Sequence, residues 1–278
     1  MFDPDNEKEQ NNTKAIFVGL FLIVLIGAIS LLKSNSGQVS LFENKPESIQ
    51  PETIDSKKIG KITAEDLAKK IQAKTDLILI DLRSENQYRL EHIVDSINIS
   101  DPKIATFSPG ALKNKICVLI DATGAAEIIN VAFANFSSRG FAGVVYLEGG
   151  FTSWKNKFNP TITDGDPKSF ADQAKVKYIT SDDLKKLLET EKNITLVDVR
   201  NSADFSSGHL AGATNIFLDN LEEERRELPF GKKIILYDND SLGAFKAAVR
   251  LFDLGFSNTL ALSDGLATWK MKGYELVK

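Results

Sequence analysis

The sequence contains the same ordered set of motifs twice, and this internal repeat constrains the fold more than any other feature. The first copy reads ITAEDL, LILIDLRSENQY, EHIVDSINI, ICVLID and YLEGGFTSWK between residues 62 and 155. The second copy reads ITSDDL, ITLVDVRNSADF, GHLAGATNI, IILYD and ALSDGLATWK between residues 179 and 270. Both histidines and both tryptophans of the chain fall at equivalent positions. A repeat of this length indicates a duplicated domain rather than a solenoid unit.

The offset between equivalent residues is nearly constant along the two copies. It is 117 positions at Asp121 and Asp238, and it falls to 115 positions at Trp154 and Trp269. Each copy spans about 100 residues, which is enough for an independent hydrophobic core.

We expect six segments along the chain. They are an N-terminal tail at 1–14, a transmembrane helix at 15–32, a linker at 33–58, a first domain at 59–158, an interdomain linker at 159–175 and a second domain at 176–278. Both linkers are polar and contain proline, which is typical of tethers and joints between folded parts.

Residues 15–32 form an 18-residue run without a charged side chain, between Lys14 and Lys33. As a helix, this run would be about 27 Å long, close to the hydrocarbon thickness of a bilayer. A cleaved signal peptide is the alternative, but the run is longer than a typical signal core and follows an acid-rich segment. We therefore expect an uncleaved single-span anchor in a bacterial inner membrane. Lysines are nearly balanced around the run, so the side on which the domains lie is undetermined.

Strand and helix patterns alternate in each copy, which indicates an α/β fold. LILID and ITLVD are short apolar runs typical of buried parallel strands, and ICVLI and IILY are a second such pair. Thr63 and Thr180 are predicted N-caps, each with an aspartate three residues later. The pattern predicts a mostly parallel sheet with helices on both faces, formed twice.

Charge and cysteine content exclude two features. The net charge is −4 and the isoelectric point is about 5.4, so the clustered basic face of a nucleic-acid-binding protein is not expected. Cys117 is the only cysteine, which excludes an intramolecular disulfide.

The segments DLRSENQYRLEHIVDSINI and DVRNSADFSSGHLAGATNI resemble the rhodanese homology domain. The specific elements are the strand-end Asp-x-Arg, the histidine that precedes Asn-Ile, and the terminal Gly-x-x-x-Trp. Together the two copies are similar to a tandem rhodanese of the sulfurtransferase type, and the second copy matches better because it keeps GHLAGATNI. The resemblance implies two rhodanese-like three-layer α/β domains with mostly parallel central sheets.

In rhodaneses, the strand that corresponds to ICVLI and IILY ends at a cysteine, whereas this chain has Asp121 and Asp238 there. The resemblance implies that a loop of N–H groups surrounds this position and that a cysteine thiolate carries sulfur as a persulfide. A carboxylate cannot carry sulfur, so no catalytic residue is expected in either copy. The degenerate loops contain Asp121, Thr123, Gly124 and Ala125 in the first copy and Asp238, Asn239, Asp240, Ser241 and Gly243 in the second.

We expect each aspartate to fill its own loop. The carboxylate of Asp121 would accept N–H bonds from residues 123–126, and that of Asp238 from residues 240–243. Because such bonds favour the charged form, a lowered pKa is predicted for both carboxyl groups.

Two alternative interpretations keep a chemical role for these segments. Cys117 lies four residues before Asp121 within an apolar run, where a buried structural cysteine is expected and a relocated sulfur carrier is the alternative. The segment 238–240, Asp-Asn-Asp, resembles an aspartyl-phosphate motif of another phosphatase class, but the first copy does not repeat it.

The other residues that recur in both copies are expected to be structural: Asp81, Arg83, His92, Asp198, Arg200 and His209. The arginines would pair with acids, and the histidines would make scaffold hydrogen bonds, since no partner ligands for a metal lie nearby in sequence. Trp154 and Trp269 are predicted core residues. Residues 222–227, EEERRE, are predicted to be a solvated helix face, with a partner surface as the alternative.

The sequence therefore favours a non-catalytic protein that is tethered to a membrane through residues 15–32 and acts as a binding or scaffold module for an unknown protein partner. No cofactor and no metal are expected. The alternative is a thiosulfate or persulfide sulfurtransferase that uses Cys117 as sulfur carrier.

Overall fold

The computed structural model describes residues 59–124, 127–141 and 143–278, and two five-stranded parallel sheets organise them. One sheet is built from each copy of the repeat. The prediction of an α/β fold with two parallel-sheet domains is therefore confirmed.

The first copy contains seven of the described strands and five of the described helices. The strands are β1 (Gly60–Ile62), β2 (Leu77–Asp81), β3 (Glu91–His92), β4 (Ser96–Asn98), β5 (Ile116–Ile120), β6 (Gly143–Leu147) and β7 (Ile162–Thr163). The helices are α1 (Ala64–Gln72), α2 (Glu85–Leu90), α3 (Asp101–Ile104), α4 (Glu127–Ser137) and α5 (Gly150–Asn156). The sheet has the strand order β1-β6-β5-β2-β4, and β3 and β7 form a separate antiparallel pair.

The second copy follows a short helix, α6 (Phe170–Gln173), and repeats the arrangement. Its strands are β8 (Tyr178–Ile179), β9 (Ile194–Asp198), β10 (Ala213–Asn215), β11 (Lys233–Tyr237) and β12 (Thr259–Leu262). Its helices are α7 (Ser181–Thr190), α8 (Ser202–Ser207), α9 (Leu221–Glu224), α10 (Leu242–Asp253) and α11 (Gly265–Met271). The strand order β8-β12-β11-β9-β10 is equivalent to that of the first sheet.

The central strands are buried on both faces because successive side chains of a strand point to opposite sides of the sheet. In β5, Cys117 and Leu119 belong to the cluster that includes the buried side chains of α3 and α4. Val118 and Ile120 belong to the cluster that includes those of α1 and α5. Each sheet thus has helices on both faces, as predicted.

Both predicted N-caps are present. The side-chain oxygen of Thr63 accepts the N–H of Asp66 at 3.1 Å, and that of Thr180 accepts the N–H of Asp183 at 3.2 Å. Each bond satisfies a helix N–H that would otherwise lack a partner, and a cap of this kind stabilises a helix by about 1 kcal/mol. The first helix of each copy therefore begins where the sequence places it.

After its last helix, each copy returns to its own histidine. Residues His92 and Ile162 are paired in the antiparallel ladder of β3 and β7. His209 and Val277 form the equivalent antiparallel bridge in the second copy. The sequence places residues 162–163 in the interdomain linker, whereas in the structure they form a strand that pairs with the first domain.

The tryptophans hold these returning segments. Trp154 is 2% exposed and donates its indole N–H to the carbonyl of Pro160 at 2.9 Å. Trp269 is 3% exposed and donates to the carbonyl of Glu275 at 3.1 Å. Their predicted position in the two cores is confirmed, and each also satisfies its polar atom, as buried tryptophans usually do.

The rest of the segment between the copies is bound to α10 of the second domain. Asp164 lies 2.6 Å from both Lys246 and Arg250. Lys175 lies 2.8 Å from Asp253, whose other oxygen lies near Thr163. Glycine is required at position 165, where φ is +83° and a Cβ would come within 3.2 Å of the Lys246 backbone. The predicted joint is therefore an ordered connector.

No helix within the described part of the chain is long and apolar enough to cross a membrane. The predicted tail at 1–14, the transmembrane helix at 15–32 and the linker at 33–58 lie outside the described residues.

Candidate functional site

Asp121 and Asp238 lie directly after the central strands β5 and β11, at the carboxyl edge of each sheet. Neither is exposed: Asp121 retains 4% of its accessible surface and Asp238 retains 8%. Buried carboxylates require hydrogen-bond partners, so the residues that surround them define the two loops.

The loop of the second domain closes around the Asp238 side chain. One carboxylate oxygen, Oδ1, accepts the N–H of Ser241 at 2.7 Å, and Oδ2 accepts the N–H of Gly243 at 2.6 Å. Ser241 has a φ of +89°, an unusual value for a residue with a side chain. A Cβ at position 243 would lie 2.8 Å from Oδ2 of Asp238, so glycine permits the approach. The predicted hydrogen bonds from segment 240–243 are confirmed.

The loop of the first domain has the corresponding bond. Oδ1 of Asp121 accepts the N–H of Gly124 at 2.6 Å, and Gly124 has a φ of +73°. Gly124 and Ser241 are therefore equivalent in both backbone conformation and hydrogen bonding. A Cβ at position 124 would come within 2.5 Å of the Gly149 nitrogen, so this loop packs closely against the segment before α5. Ala125 and residue 126 lie outside the described residues.

The predicted lowering of the pKa is wrong for Asp238. Burial raises the pKa of its carboxyl, and the N–H groups of Gly243 and Ser241 lower it by less. The carboxylate of Asp240, two residues away, adds to the rise because it is a second negative charge. Desolvation and the nearby Asp240 together outweigh the two backbone hydrogen bonds, which the sequence pattern could not reveal.

The last helix of each domain donates its first free N–H groups to the loop. The N–H of Phe151 donates to the carbonyl of Asp121 at 2.8 Å, and the N–H of Leu266 donates to that of Asp238 at 2.8 Å. A glycine precedes each donor: Gly150 precedes Phe151, and Gly265 precedes Leu266. A Cβ at either glycine would collide with the loop backbone. The loop is thus fixed from two sides.

Arg83 and Arg200 form the predicted ion pairs. Nη2 of Arg83 lies 2.6 Å from Asp81, and Nη2 of Arg200 lies 2.5 Å from Asp198. Both aspartates are fully buried, and each arginine also donates to a carbonyl group of the segment before the histidine. These arginines hold the strand ends and are paired with acids, as expected for structural residues.

The two copies differ beside these arginines. The guanidinium of Arg83 lies 3.6 Å from the ring centroid of Phe151, a cation–π contact. Leu266 is the residue equivalent to Phe151, and Nη1 of Arg200 instead lies 3.3 Å from Oδ1 of Asn239. The first domain therefore presents an aromatic ring next to its loop.

A cleft of about 380 Å³ lies beside the first loop. It is lined by Arg83, Gln87, Ala122, Phe151, Thr152, Lys155 and Asn156. Thr123 and Asp240 are not part of its lining, and both are at the surface. The lining includes the ring of Phe151 and the two cationic side chains of Arg83 and Lys155, which are paired with Asp81 and Glu91.

Cys117 is fully buried within β5, among the apolar side chains that face α4. Burial raises the pKa of its thiol to about 12. A thiol in this state is almost entirely protonated near neutral pH, and the protonated form is a poor nucleophile. The expectation of a buried structural cysteine is confirmed.

The histidines make the predicted scaffold contacts. Nδ1 of His92 lies 2.8 Å from the carbonyl oxygen of Tyr88, and Nδ1 of His209 lies 3.0 Å from that of Phe205. The two rings stack on those same aromatic residues, with centroid distances of 4.0 and 3.7 Å. Among the described residues, no group of three His, Cys, Asp or Glu side chains could hold a metal ion.

One contact of His92 was not predicted. Its Nε2 lies 2.8 Å from a carboxylate oxygen of Glu222, and Arg225 lies 2.7 Å from Asp95. The prediction of a solvated helix face at residues 222–227 is therefore wrong for these two positions, whose side chains contact the first domain. The only sequence signal for these contacts was the mixed charge of the segment, which does not indicate that His92 and Asp95 are the partners.

Comparison with known families and proteins agrees with this architecture. The family model described as "Rhodanese-like domain" matches residues 63–157 and 180–272. The uncharacterized protein YibN of Escherichia coli (strain K12) is 29% identical over 108 residues, which is 38% of this chain and 75% of that protein. Thiosulfate sulfurtransferase GlpE of Shewanella oneidensis is 25% identical over 93 residues, which is 34% of this chain and 91% of that protein.

A solved structure also aligns over much of the chain. The crystal structure of a thiosulfate sulfurtransferase from Pseudomonas aeruginosa has 18% sequence identity and a TM-score of 0.42. The alignment covers 79% of this chain but only 43% of that one.

Proposed function

The chain belongs to the rhodanese-like domain family, and on this premise we propose that it is a non-catalytic protein-binding or scaffold protein that is tethered to a membrane. The observation that carries the proposal is the Asp238 carboxylate, which accepts the N–H groups of its own loop at 2.6 and 2.7 Å. A side chain that already occupies these two donors makes them unavailable to a donor substrate, and a carboxylate is not a nucleophile that can carry sulfur.

Sulfur transfer requires a specific sequence of bond changes. A thiolate attacks the outer sulfur of thiosulfate, the sulfur–sulfur bond breaks, and sulfite leaves with the bonding electron pair. Cyanide then takes the outer sulfur of the persulfide as thiocyanate and regenerates the thiolate. In this proposal Asp121 and Asp238 occupy the position of the family's cysteine, and a carboxylate oxygen cannot perform the first step.

Charge also opposes an anionic sulfur donor. Two like unit charges about 4 Å apart repel each other by roughly 4 kcal/mol at an effective dielectric constant of about 20. An ionised Asp121 or Asp238 would therefore disfavour thiosulfate in the loop. The buried thiol of Cys117 offers no replacement, since its pKa is raised to about 12 and it is inaccessible.

The cleft beside Phe151 is the surface that we assign to the protein partner. The cleft suits a peptide that carries an apolar side chain, which would contact the ring of Phe151, because aromatic residues are common anchors of interfaces. The apolar run at 15–32 would hold the domains close to a membrane, where such a partner could be recruited.

The decisive experiment measures thiocyanate formation from thiosulfate and cyanide with the full-length protein, because one relative is named as a thiosulfate sulfurtransferase. We expect no turnover above that of the Cys117→Ser variant. Turnover that disappears in Cys117→Ser would overturn the proposal in favour of a sulfurtransferase that uses the buried thiol.

A gain-of-function variant tests the loop itself. Asp238→Cys places a thiol among the N–H groups of Ser241 and Gly243, which would lower its pKa and stabilise a bound anion. We expect sulfur transfer to appear in Asp238→Cys and not in Asp238→Ser, which serves as the matched control. Absence of turnover in a folded Asp238→Cys protein would contradict the assignment of Asp238 to the family's cysteine position.

A further inference from the structure

The described contacts include a compact ionic cluster between the two domains. His92 and Asp95 come from the first domain, and Glu222 and Arg225 come from the second. Oε2 of Glu222 lies 2.8 Å from Nε2 of His92, and Oε1 accepts the N–H of Asp95 at 2.9 Å. Nη2 of Arg225 lies 2.7 and 2.9 Å from the two carboxylate oxygens of Asp95. We call these four residues the clasp.

The clasp uses a residue at which the two copies differ. Asp95 is equivalent to Gly212, and both have a left-handed backbone, with φ of +61° and +79°. Glycine adopts this conformation at little cost, whereas aspartate does so less readily. The first copy accepts this cost and gains a carboxylate that pairs with Arg225. The aspartate in EHIVDSINI, where the second copy has glycine, thus forms an ion pair with the second domain.

The other half of the clasp is also confined to one copy. Residues 105 and 108, which are equivalent to Glu222 and Arg225, are alanine and serine. Among the described residues, the imidazole ring of His209 makes one hydrogen bond, between Nδ1 and the carbonyl of Phe205. The chain therefore contains one histidine with the clasp and one equivalent histidine without it, which provides an internal control.

The geometry of His92 defines its proton content. Nδ1 lies 2.8 Å from the carbonyl oxygen of Tyr88, which can only accept a hydrogen bond. Nε2 lies 2.8 Å from the Glu222 carboxylate, which also only accepts when it is ionised. A neutral imidazole has one N–H and can satisfy one of these acceptors. Both contacts are satisfied when the ring carries two protons.

The charge of Glu222 is consistent with this arrangement. Burial works against its ionised form, but the hydrogen bond and the charge of His92 outweigh burial and hold the pKa of the carboxyl below its usual range. The backbone N–H of Asp95 and the charge of Arg225 act in the same direction. An ionised Glu222 requires a donor on the facing nitrogen of His92.

We propose that the clasp is a protonation-dependent lock between the two domains, closed when His92 is an imidazolium ion that bridges Tyr88 and Glu222. Loss of either ring proton removes the positive charge that strengthens the contact with Glu222 and leaves one of the two acceptors without a donor, so the lock weakens as the pH rises. Imidazole groups change charge between about pH 5 and about pH 8, which places the switch within a physiological range.

The surroundings leave His92 as the group that switches. Tyr88 stacks on its ring, and burial raises the pKa of that phenol well above its usual range, so it stays neutral. The remaining ionisable groups that line the adjoining interdomain cavity of about 450 Å³ are Glu85, Arg89, Lys103, Asp219 and Arg250. They are three cationic and two anionic side chains, and none of them is an imidazole.

Opening would loosen the domains without separating them. The connector stays attached to the second domain through the contacts of Asp164 with Lys246 and Arg250. Its strand β7 stays paired with β3 of the first domain. The lock therefore controls the orientation and mobility of two domains that remain adjacent.

The test reads the two histidine rings directly by nitrogen NMR of the full-length protein labelled with ¹⁵N-histidine. The chain has only two histidines, and His209→Gln assigns the remaining signals to His92. We expect imidazolium signals from His92 under conditions in which His209 is neutral. Glu222→Gln, which keeps the shape but removes the charge, should abolish this difference. A neutral His92 in the wild-type protein, or an imidazolium signal unchanged in Glu222→Gln, would overturn the proposal.

Interdomain distances supply a second readout. Spin labels are placed on one exposed residue of each domain in a Cys117→Ser background, and the distance distribution is measured by pulsed electron paramagnetic resonance. It should broaden as the pH is raised from about 5 to about 8. Glu222→Gln, which removes the carboxylate that pairs with His92, should give the broad distribution at every pH, whereas His209→Gln should behave like the wild-type protein. A distribution that is independent of pH in the wild-type protein would contradict the lock.

Discussion

The N–H group of Gly243 lies 2.6 Å from Oδ2 of Asp238, so a carboxylate and a backbone donor of the same loop satisfy each other. The contact leaves no space for a side chain at position 243, because an added Cβ would lie 2.8 Å from the same oxygen. This relationship fixes the shape of the loop without any bound ligand.

Gly243→Ala should therefore destabilise the second domain. Alanine favours helices by about 1 kcal/mol over glycine, so the substitution would stabilise α10 if space allowed. We expect the steric clash to prevail, with a net loss of about 1–3 kcal/mol in the free energy of unfolding measured with urea. Gly143→Ala is the control, because nothing lies within 4 Å of its added Cβ. Equal stability of the two variants would contradict a close contact at Asp238.

The raised pKa of Asp238 predicts a pH dependence of stability. A carboxyl group whose pKa is higher in the folded state binds its proton more tightly there, so its contribution to stability falls as the pH rises from the unfolded value towards the folded one. The ordinary pKa of an aspartate carboxyl group is 3.8. We expect the difference in unfolding free energy between the wild type and Asp238→Asn to decrease above this pH. A difference that increases with pH would show that the hydrogen bonds outweigh burial.

Arg200→Met should leave the buried Asp198 carboxylate without its cation. The side chains of this pair are 4% and 0% exposed, and removal of one partner from such a pair typically costs about 3–5 kcal/mol. We expect a loss of this size in urea unfolding. The same substitution at Lys115, whose partner Asp76 is 76% exposed, should have a far smaller effect. Replacing both Asp198 and Arg200 by neutral residues should recover part of the loss.

Cys117 should be unreactive in the folded protein. Its thiol is buried and its pKa is raised to about 12, so the thiolate that reacts with disulfide reagents is scarce. We expect modification by a thiol reagent to begin only when urea unfolds the first domain, which can be followed by absorbance. Rapid modification of the folded protein would revive the interpretation of Cys117 as a sulfur carrier.

The repeat was sufficient to predict much of this architecture. The two parallel sheets, the threonine caps and the buried tryptophans follow from local sequence patterns that are present in both copies. The equivalence of Asp121 and Asp238 also follows from the constant offset, since both end a buried strand.

The clasp could not be predicted in this way. His92 and Glu222 are 130 residues apart, and the second copy has no counterpart of their contact because alanine replaces Glu222 in the equivalent position. The direction of the pKa shift at Asp238 was also missed, because it depends on how deeply the loop lies in the protein. Contacts between the copies and the depth of burial are tertiary properties that a repeated local pattern does not encode.

The two tryptophans provide a matched pair of optical probes. Each indole donates to the chain segment that closes its own copy, and no other tryptophan is present in the sequence. Trp154→Phe leaves a chain whose fluorescence reports only the second half, and Trp269→Phe leaves one that reports only the first. Two single substitutions thus suffice to learn whether the halves melt together or in turn.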